Sequence, residues 1–461
     1  MSFAIHGIGT AHPPDAVTAE EGLALARVLA GPDVRTSTWL GPIYSNSGLR
    51  QRFQIIGGSA KRDALAGTND SGSPFLPTPD NEGTGPTTGE RMAIYAQEVG
   101  PLALRASASA LAESGFAPDT ITHLVTVSCT GFVAPGVDFA LITGLGLKPT
   151  VARTHVGFMG CHGALNGLRV ANAFTSADPS ARVLVCAVEL SSLHYYYGSA
   201  ADKLIANSIF ADGAAAVVGC GQGAAEPNPL TPFPKKEGGT EPTAVLSPSP
   251  FRGGVGEGFQ PQPPPPSPLP KGKGEQTHEV SEIGTAPSDR SFSPFPLGRG
   301  DRGGGCVPGL PFSGGAGRVN SPWSLVASGS CLIPNSAADM GWVVGDHGFE
   351  MSLSRRVPGL IAAHLKPWIE SWISDNRMSL ADVRSWAVHP GGPKIVSAVG
   401  EALGLSAEAL APSRGVFAEY GNMSSPTVLF ILRKLRAEGA PRPCVALGFG
   451  PGLVAEAALF V

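Results

Sequence analysis

The 461-residue sequence predicts an α/β body whose sheet is covered on both faces, with one long unstructured insert. Three observations carry that prediction. Apolar, strand-like runs alternate with segments of helical spacing, and a strand apolar on both sides belongs in a sheet buried on both faces. The pattern occurs both before and after residues 222–321, which gives two lobes, 1–221 and 322–461. The segment between them changes composition abruptly.

The elements follow in order. ITHLVTVSCTG (121–131) reads as a buried strand running into a turn, and ARVLVCAVEL (181–190) as another, rich in β-branched residues. GAAAVVGCG (213–221) and SWAVHPGG (385–392) have the same character. CVALGFGPGLVAEAALFV (444–461) reads as two strands joined by a glycine turn. In SSPTVLFILRKLRAEG, Ser424 or Ser425 is a candidate cap and Pro426 suits the first helical position. Val428, Ile431, Leu432 and Leu435 then form one apolar face, and Gly439 ends the pattern. Gly67 to Thr88, rich in Gly, Pro and polar residues, reads as a loop.

Residues 222–321 are dominated by Pro, Gly and Ser. A loose repeat recurs in TPFPKKEGG, SPFRGGVGEG, SPLPKGKGE and SPFPLGRGDRGGG. Such a segment buries too little apolar surface to offset a backbone ordering entropy of about 1–2 kcal/mol per residue. It reads as a disordered spacer, with a Pro-rich partner-docking segment as the alternative, and its repeat periods are too irregular for a solenoid.

The net charge of −4 supplies no basic field for nucleic acid. No apolar run is long enough to span a membrane, and MSFAIHGIGTAHPP has neither a basic leader nor an apolar core. The seven cysteines are scattered, without the CxxC or His-rich spacing of a metal site. These features predict a protein of the reducing cytoplasm, with no metal.

Chemistry concentrates in VGFMGCHGALNGLRVA. Gly157 and Gly160 precede Cys161, and Leu165, Leu168 and Ala171 follow at helical spacing. A sulfur at a helix start meets unpaired N–H groups that favour an anion, and a depressed thiol pKa makes a nucleophile. Cys186, Cys220 and Cys444 lie inside apolar strands and read as core residues. A thiolate nucleophile needs a proton acceptor and oxyanion donors. His389 ends a strand before a Pro-Gly-Gly turn, and Asn422 sits in a tight turn before a helix. Two enzyme classes use Cys, His and Asn in this chain order: papain-like thiol proteases and thiolase-like condensing enzymes. The protease signature C-G-[SA]-C-[WY] is absent.

GFMGCHGALNGLRVA, SIFADGAAAVV, GDHGFEMSLSRRVPG, WAVHPGGP, EYGNMSSPTVLFIL and GFGPGL, in this order, resemble the type III polyketide synthases, the chalcone synthase-like family. The resemblance covers nearly all of the chain outside the insert. It implies a thiolase-like layered αβαβα fold of two similar halves, and a homodimer. It also implies an acyltransferase that uses acyl-CoA and malonyl-CoA as substrates and no metal or redox cofactor. The expected reaction is decarboxylative extension of a starter, with a fatty acyl group preferred, followed by cyclisation to a pyrone or resorcinol-type product. A single-condensation 3-ketoacyl synthase, or a non-catalytic homologue disabled by the insert, remain as alternatives.

By the same resemblance, Cys161 carries the acyl chain, His389 helps to keep it ionised, and His389 and Asn422 donate to the malonyl thioester oxygen. Phe210 matches a gatekeeper phenylalanine. Met351 stands where the family carries a second phenylalanine. Cys129, Thr130, Ser191, His194 and Trp342 correspond to cavity positions. Arg50 and Arg52 of GLRQRF correspond to a basic coenzyme A contact, with Lys61 and Arg62 close behind.

Overall fold

The strands of the computed structural model are, in chain order, β1 (Phe3–Ala11), β2 (Ala16–Thr18), β3 (Gln51–Phe53), β4 (His123–Ser128), β5 (Ala152–Gly157), β6 (Arg182–Leu190), β7 (Asp212–Gly221), β8 (Trp323–Leu332), β9 (Met340–Gly345), β10 (Gly348–Leu353), β11 (Ser385–Val388), β12 (Cys444–Gly450) and β13 (Val454–Phe460). The structure describes residues 2–30, 34, 37–78, 84–222 and 322–461. The predicted insert therefore lies, apart from Gln222, outside the described residues.

Nine strands form one sheet in the order β11-β12-β13-β8-β1-β7-β6-β4-β5. Its two halves repeat one connectivity. In the first, β1 pairs antiparallel with β7, β7 antiparallel with β6, and β6 parallel with β4. In the second, β8 pairs antiparallel with β13, β13 antiparallel with β12, and β12 parallel with β11. Three residue pairs between β1 and β8, Phe3 with Leu325 to Ile5 with Trp323, join the halves.

Alternation along the strands builds the layers. Val183, Val185 and Ala187 of β6 face a central core, while Leu184, Cys186 and Val188 face an outer one. That outer core takes in Leu102, Ala103 and Ala106 of the helix Thr88–Ser114. This helix starts at a reciprocal Thr87–Glu90 capping box and stops at left-handed Gly115. In the second half, Ala446 of β12 faces the central core, while Val445 and Leu447 face the helices Val357–Asp375 and Pro393–Leu403. The central core holds two helices, Gly163–Ala177 and Thr427–Ala437. With the two halves of the sheet on either side of the central core, the order is helix, half-sheet, helix, half-sheet, helix: the layered αβαβα arrangement of two similar halves that the sequence resemblance implied.

The predicted strands appear where the apolar runs place them. One local expectation is corrected. The last helix begins at Thr427, with Pro426 as its cap residue and no side-chain cap. Ser424 is left-handed at φ 57°, and Ser425 hydrogen-bonds elsewhere. Both serines are turned toward the candidate site.

Candidate active site

Cys161 follows β5 on a single 3-10 turn, Gly160–His162, that leads into the helix Gly163–Ala177. This turn is fitted to the end of β12. Gly160 is left-handed at φ 68°, and a Cβ there would lie 2.4 Å from Pro451 Cδ. A Cβ on Gly450 would lie 2.5 Å from His162 Nε2, and one on Gly448 3.2 Å from His162 Cβ. The glycines of GFGPGL thus make room for the residue after the nucleophile candidate. His389 enters from the other side of β12: it ends β11, and its N–H donates to the Leu447 carbonyl at 2.8 Å.

Asn422 is placed by backbone pairing with Phe210. The Asn422 N–H donates to the Ile209 carbonyl at 2.9 Å, and the Asn422 carbonyl accepts from the Ala211 N–H at 2.9 Å. Its side chain is oriented by the Ser424 N–H, which donates to Oδ1 at 2.8 Å. Nδ2 is left buried with no full hydrogen bond among the described residues. It lies near enough to the Cys161 sulfur to lower the thiol pKa, as does Ser424.

Burial acts more strongly. Cys161 packs with Ile209, Phe210 and Phe417, and desolvation pushes its thiol up to about 11, with buried Glu189 adding to the rise. The helix-start expectation of a depressed thiol is therefore not met. His389 is buried too, and desolvation, reinforced by His162, pushes it down to about 3. Burial thus works against the charge on each group taken alone, whereas the resemblance implied a thiolate–imidazolium pair. Neither His389 nitrogen has a hydrogen-bond partner among the described residues.

A cavity of about 20 Å³ lies against Cys161, walled by Cys129, Thr130, Ser191, Phe210, Trp342, Met351 and Ser424, among others. A second, of about 250 Å³, shares Ser191, Phe210, Trp342 and Met351 with it. Phe210 thus stands between the two. Trp342 and Met351 are paired across the β9–β10 hairpin, so one hairpin supplies two of the shared walls. Trp342 is held by its Nε1–H, which donates to the Cys129 carbonyl at 2.8 Å. His194 lines only the larger cavity. Its Nδ1 accepts from the Phe349 N–H at 2.9 Å, so Nε2 carries the proton and donates to the Thr130 carbonyl. Burial pushes it down to about 3, and it is a neutral strut.

The basic pair divides. Arg50 is exposed and ion-paired with Glu419 at 2.5 Å. Arg52 is 2% exposed and donates to the backbone carbonyls of Asn207 and Phe210. That placement turns it away from any phosphate in solvent and corrects its expected role. Lys61 is bound to the Ala16 carbonyl and to Glu21.

Sequence reasoning missed Glu189. Fully buried at the end of β6, it accepts from the Cys129 N–H at 2.9 Å, the Thr130 hydroxyl at 2.8 Å and the Ser425 hydroxyl at 2.5 Å. Desolvation raises its pKa. It ties the cavity wall of one half to the turn after Asn422 in the other. The available signal was a lone acid closing the apolar run ARVLVCAVEL.

Comparison with known proteins decides the family. The family described as "Chalcone and stilbene synthases, N-terminal domain" matches residues 78–223, and its C-terminal domain matches residues 324–461. The chain belongs to the chalcone and stilbene synthase family. It is a type III polyketide synthase, an acyltransferase-type condensing enzyme. It is 28% identical over 378 residues to the "Alpha-pyrone synthesis polyketide synthase-like Pks18" of Mycobacterium tuberculosis, covering 81% of this chain and 73% of that protein. It is 28% identical to the bisdemethoxycurcumin synthase of Oryza sativa subsp. japonica, over 99% of this chain and 91% of that one. Among solved structures it is similar to PKS-I of the brown alga Ectocarpus siliculosus, with a TM-score of 0.73, 26% identity, and coverage of 100% of this chain and 98% of that one. Among the described residues, no helix of this synthase is long and apolar enough to cross a membrane.

Proposed function

We propose that Cys161 accepts a fatty acyl starter from acyl-CoA and holds the chain while malonyl-CoA units extend it, and that the product cyclises to an alkylpyrone or alkylresorcinol. The carrying observation is the free Nδ2 of Asn422 beside the Cys161 sulfur, fixed by its own Oδ1 bond and backed by the unpartnered ring of His389.

In the first step, neutral His389 takes the thiol proton as the sulfur attacks the starter carbonyl. The Cys161 S–C bond forms, the CoA S–C bond breaks, and the proton passes to the CoA thiolate. Malonyl-CoA then loses CO2, and the electron pair of the broken C–C bond becomes an enolate. Its oxygen develops negative charge, and His389 and Asn422 serve as its hydrogen-bond donors in this reading. One such donor is worth about 2.7–4 kcal/mol of barrier. The enolate carbon attacks the acyl thioester and returns the thiolate to Cys161. Decarboxylation supplies the electron pair, so the chemistry calls for neither a metal nor a redox cofactor.

The aromatic lining of the larger cavity, with Tyr195, Tyr197, Phe210, Trp342 and Phe349, suits an alkyl chain or a flat ring. The relative named for α-pyrone synthesis supports the pyrone outcome. The enzyme works as a homodimer: β5 is an edge strand with exposed residues, and Phe132, Phe139, Phe158 and Met159 are exposed. Cys129, Cys161, Cys186, Cys331 and Cys444 carry free thiols, which suits a reducing cytoplasm.

The test is incubation with malonyl-CoA and acyl-CoAs of graded length, read by product mass. Multiply extended cyclic products, lost in Cys161→Ala, are expected. A single β-ketoacyl product would overturn iterative extension.

A further inference from the structure

We infer that Arg52 is a positioning residue that fastens the Phe210 gate and the Asn422 donor as one unit. The inference rests on the reading of this site as a condensing centre. The helix Ala201–Ile209 ends at Phe210, and the last carbonyls of a helix have no partner within it. Two of the carbonyls at this end are spoken for: Ala206 accepts from the Phe210 N–H, and Ile209 accepts from the Asn422 N–H. Arg52 Nη1 takes two others, Asn207 and, at 3.0 Å, Phe210 itself. Gln54 Nε2 adds a longer bond to the Phe210 carbonyl at 3.3 Å.

A cation at a helix C-terminus is favoured by the helix dipole, and here it is buried as well. Room has been made for it. A Cβ on Gly22 would lie 3.4 Å from Arg52 Nη2, and one on left-handed Gly421 would lie 3.0 Å from Arg52 Cβ. Gly421 immediately precedes Asn422, so the stem of Arg52 touches the donor's turn while its guanidinium holds the gate. Asp212, a carboxylate that senses its charge, is already engaged by the N–H groups of Ile55 and Ser192 and the Ser192 hydroxyl. Arg52 therefore serves backbone carbonyls rather than a carboxylate or a coenzyme phosphate.

The experiment measures acylation of Cys161 by intact-protein mass in the full chain, with hexanoyl-CoA and with hexanoyl-N-acetylcysteamine, which has no phosphates. Rates are normalised to Cys161 titrated with iodoacetamide. Arg52→Gln removes the charge and one arm of the fork. It is expected to slow acylation from both thioesters by the same factor, about tenfold or more, as for a lost hydrogen bond to a charged group. Arg52→Lys keeps the charge and restores part of the rate. Half-saturation by hexanoyl-CoA stays unchanged. If Arg52→Gln slows only the CoA ester, Arg52 is a phosphate contact and the inference fails. It also fails if both normalised rates stay at the wild-type value, because a residue needed only for folding lowers titratable Cys161 and nothing else. Wild-type protein acylated by neither thioester would instead sink the functional reading.

Discussion

The resting state of Cys161 can be worked out from its enclosure. Burial takes the thiol from an ordinary 9.0 up to about 11, which sets about 3 kcal/mol against the thiolate. Burial also takes His389 down to about 3, so no standing imidazolium offsets that cost. Near neutral pH the thiolate is then on the order of one part in ten thousand. Alkylating reagents react with the thiolate. Iodoacetamide should therefore modify Cys161 about tenfold faster for each unit of pH between about 7 and 10. The assay is the pseudo-first-order rate at the peptide bearing residue 161, resolved by mass from the other cysteines. His389→Gln should leave that slope intact in the empty protein yet abolish acyl transfer, because the acceptor of the thiol proton is gone. A flat rate from about pH 6 to 9 that collapses in His389→Gln would reveal a standing ion pair and refute the reasoning.

Three further outcomes follow from the same geometry. Gly450→Ala drives a methyl into the His162 ring and should cost about 1–3 kcal/mol of stability, seen in thermal unfolding, with a larger proportional loss of Cys161 acylation. Trp342→Leu merges the small and large cavities, and product mass spectra should shift toward more malonyl units; an unchanged spectrum would remove Trp342 as a wall that limits length. Phe139→Asp on the exposed face beside β5 should convert a dimer to a monomer in sedimentation, and a persistent dimer would place the interface elsewhere.

The strands were legible because apolar runs such as VLVCAVEL have no other place to go than a doubly covered sheet. The turn at Cys161 was legible because Gly157 and Gly160 precede the sulfur where helical spacing begins, and that turn does pack on Pro451. What escaped was set by partners far away in the chain. Arg52 looks like a surface cation in GLRQRF, but its acceptors are backbone carbonyls at Asn207 and Phe210, which no side-chain pattern announces. Ser425 looks like a helix cap, but its hydroxyl is claimed by Glu189, 236 residues earlier. The thiol's upward shift has the same origin. Local sequence displays the helix start that favours an anion, but not Phe210 and Phe417, which exclude the water an anion needs.

The repeat of the two halves explains why the site is divided between them. In the first half, β5 feeds the turn that leads into the central helix Gly163–Ala177; in the second, β11 leads past His389 into the outer helix Pro393–Leu403, and the turn after Asn422 leads into the central helix Thr427–Ala437. Side chains on one turn would share one backbone and move together. Here Cys161, the proposed nucleophile, comes from the first half, and the proposed donors His389 and Asn422 from the second. Their separation is set by contacts between halves: His162 against Gly448 and Gly450, Glu189 on Ser425, and Phe210 paired with Asn422. The last contact also links two parts of the site: the backbone that carries Phe210 is the strand partner of Asn422, so a substitution that shifts the one backbone reaches the other through two 2.9 Å hydrogen bonds.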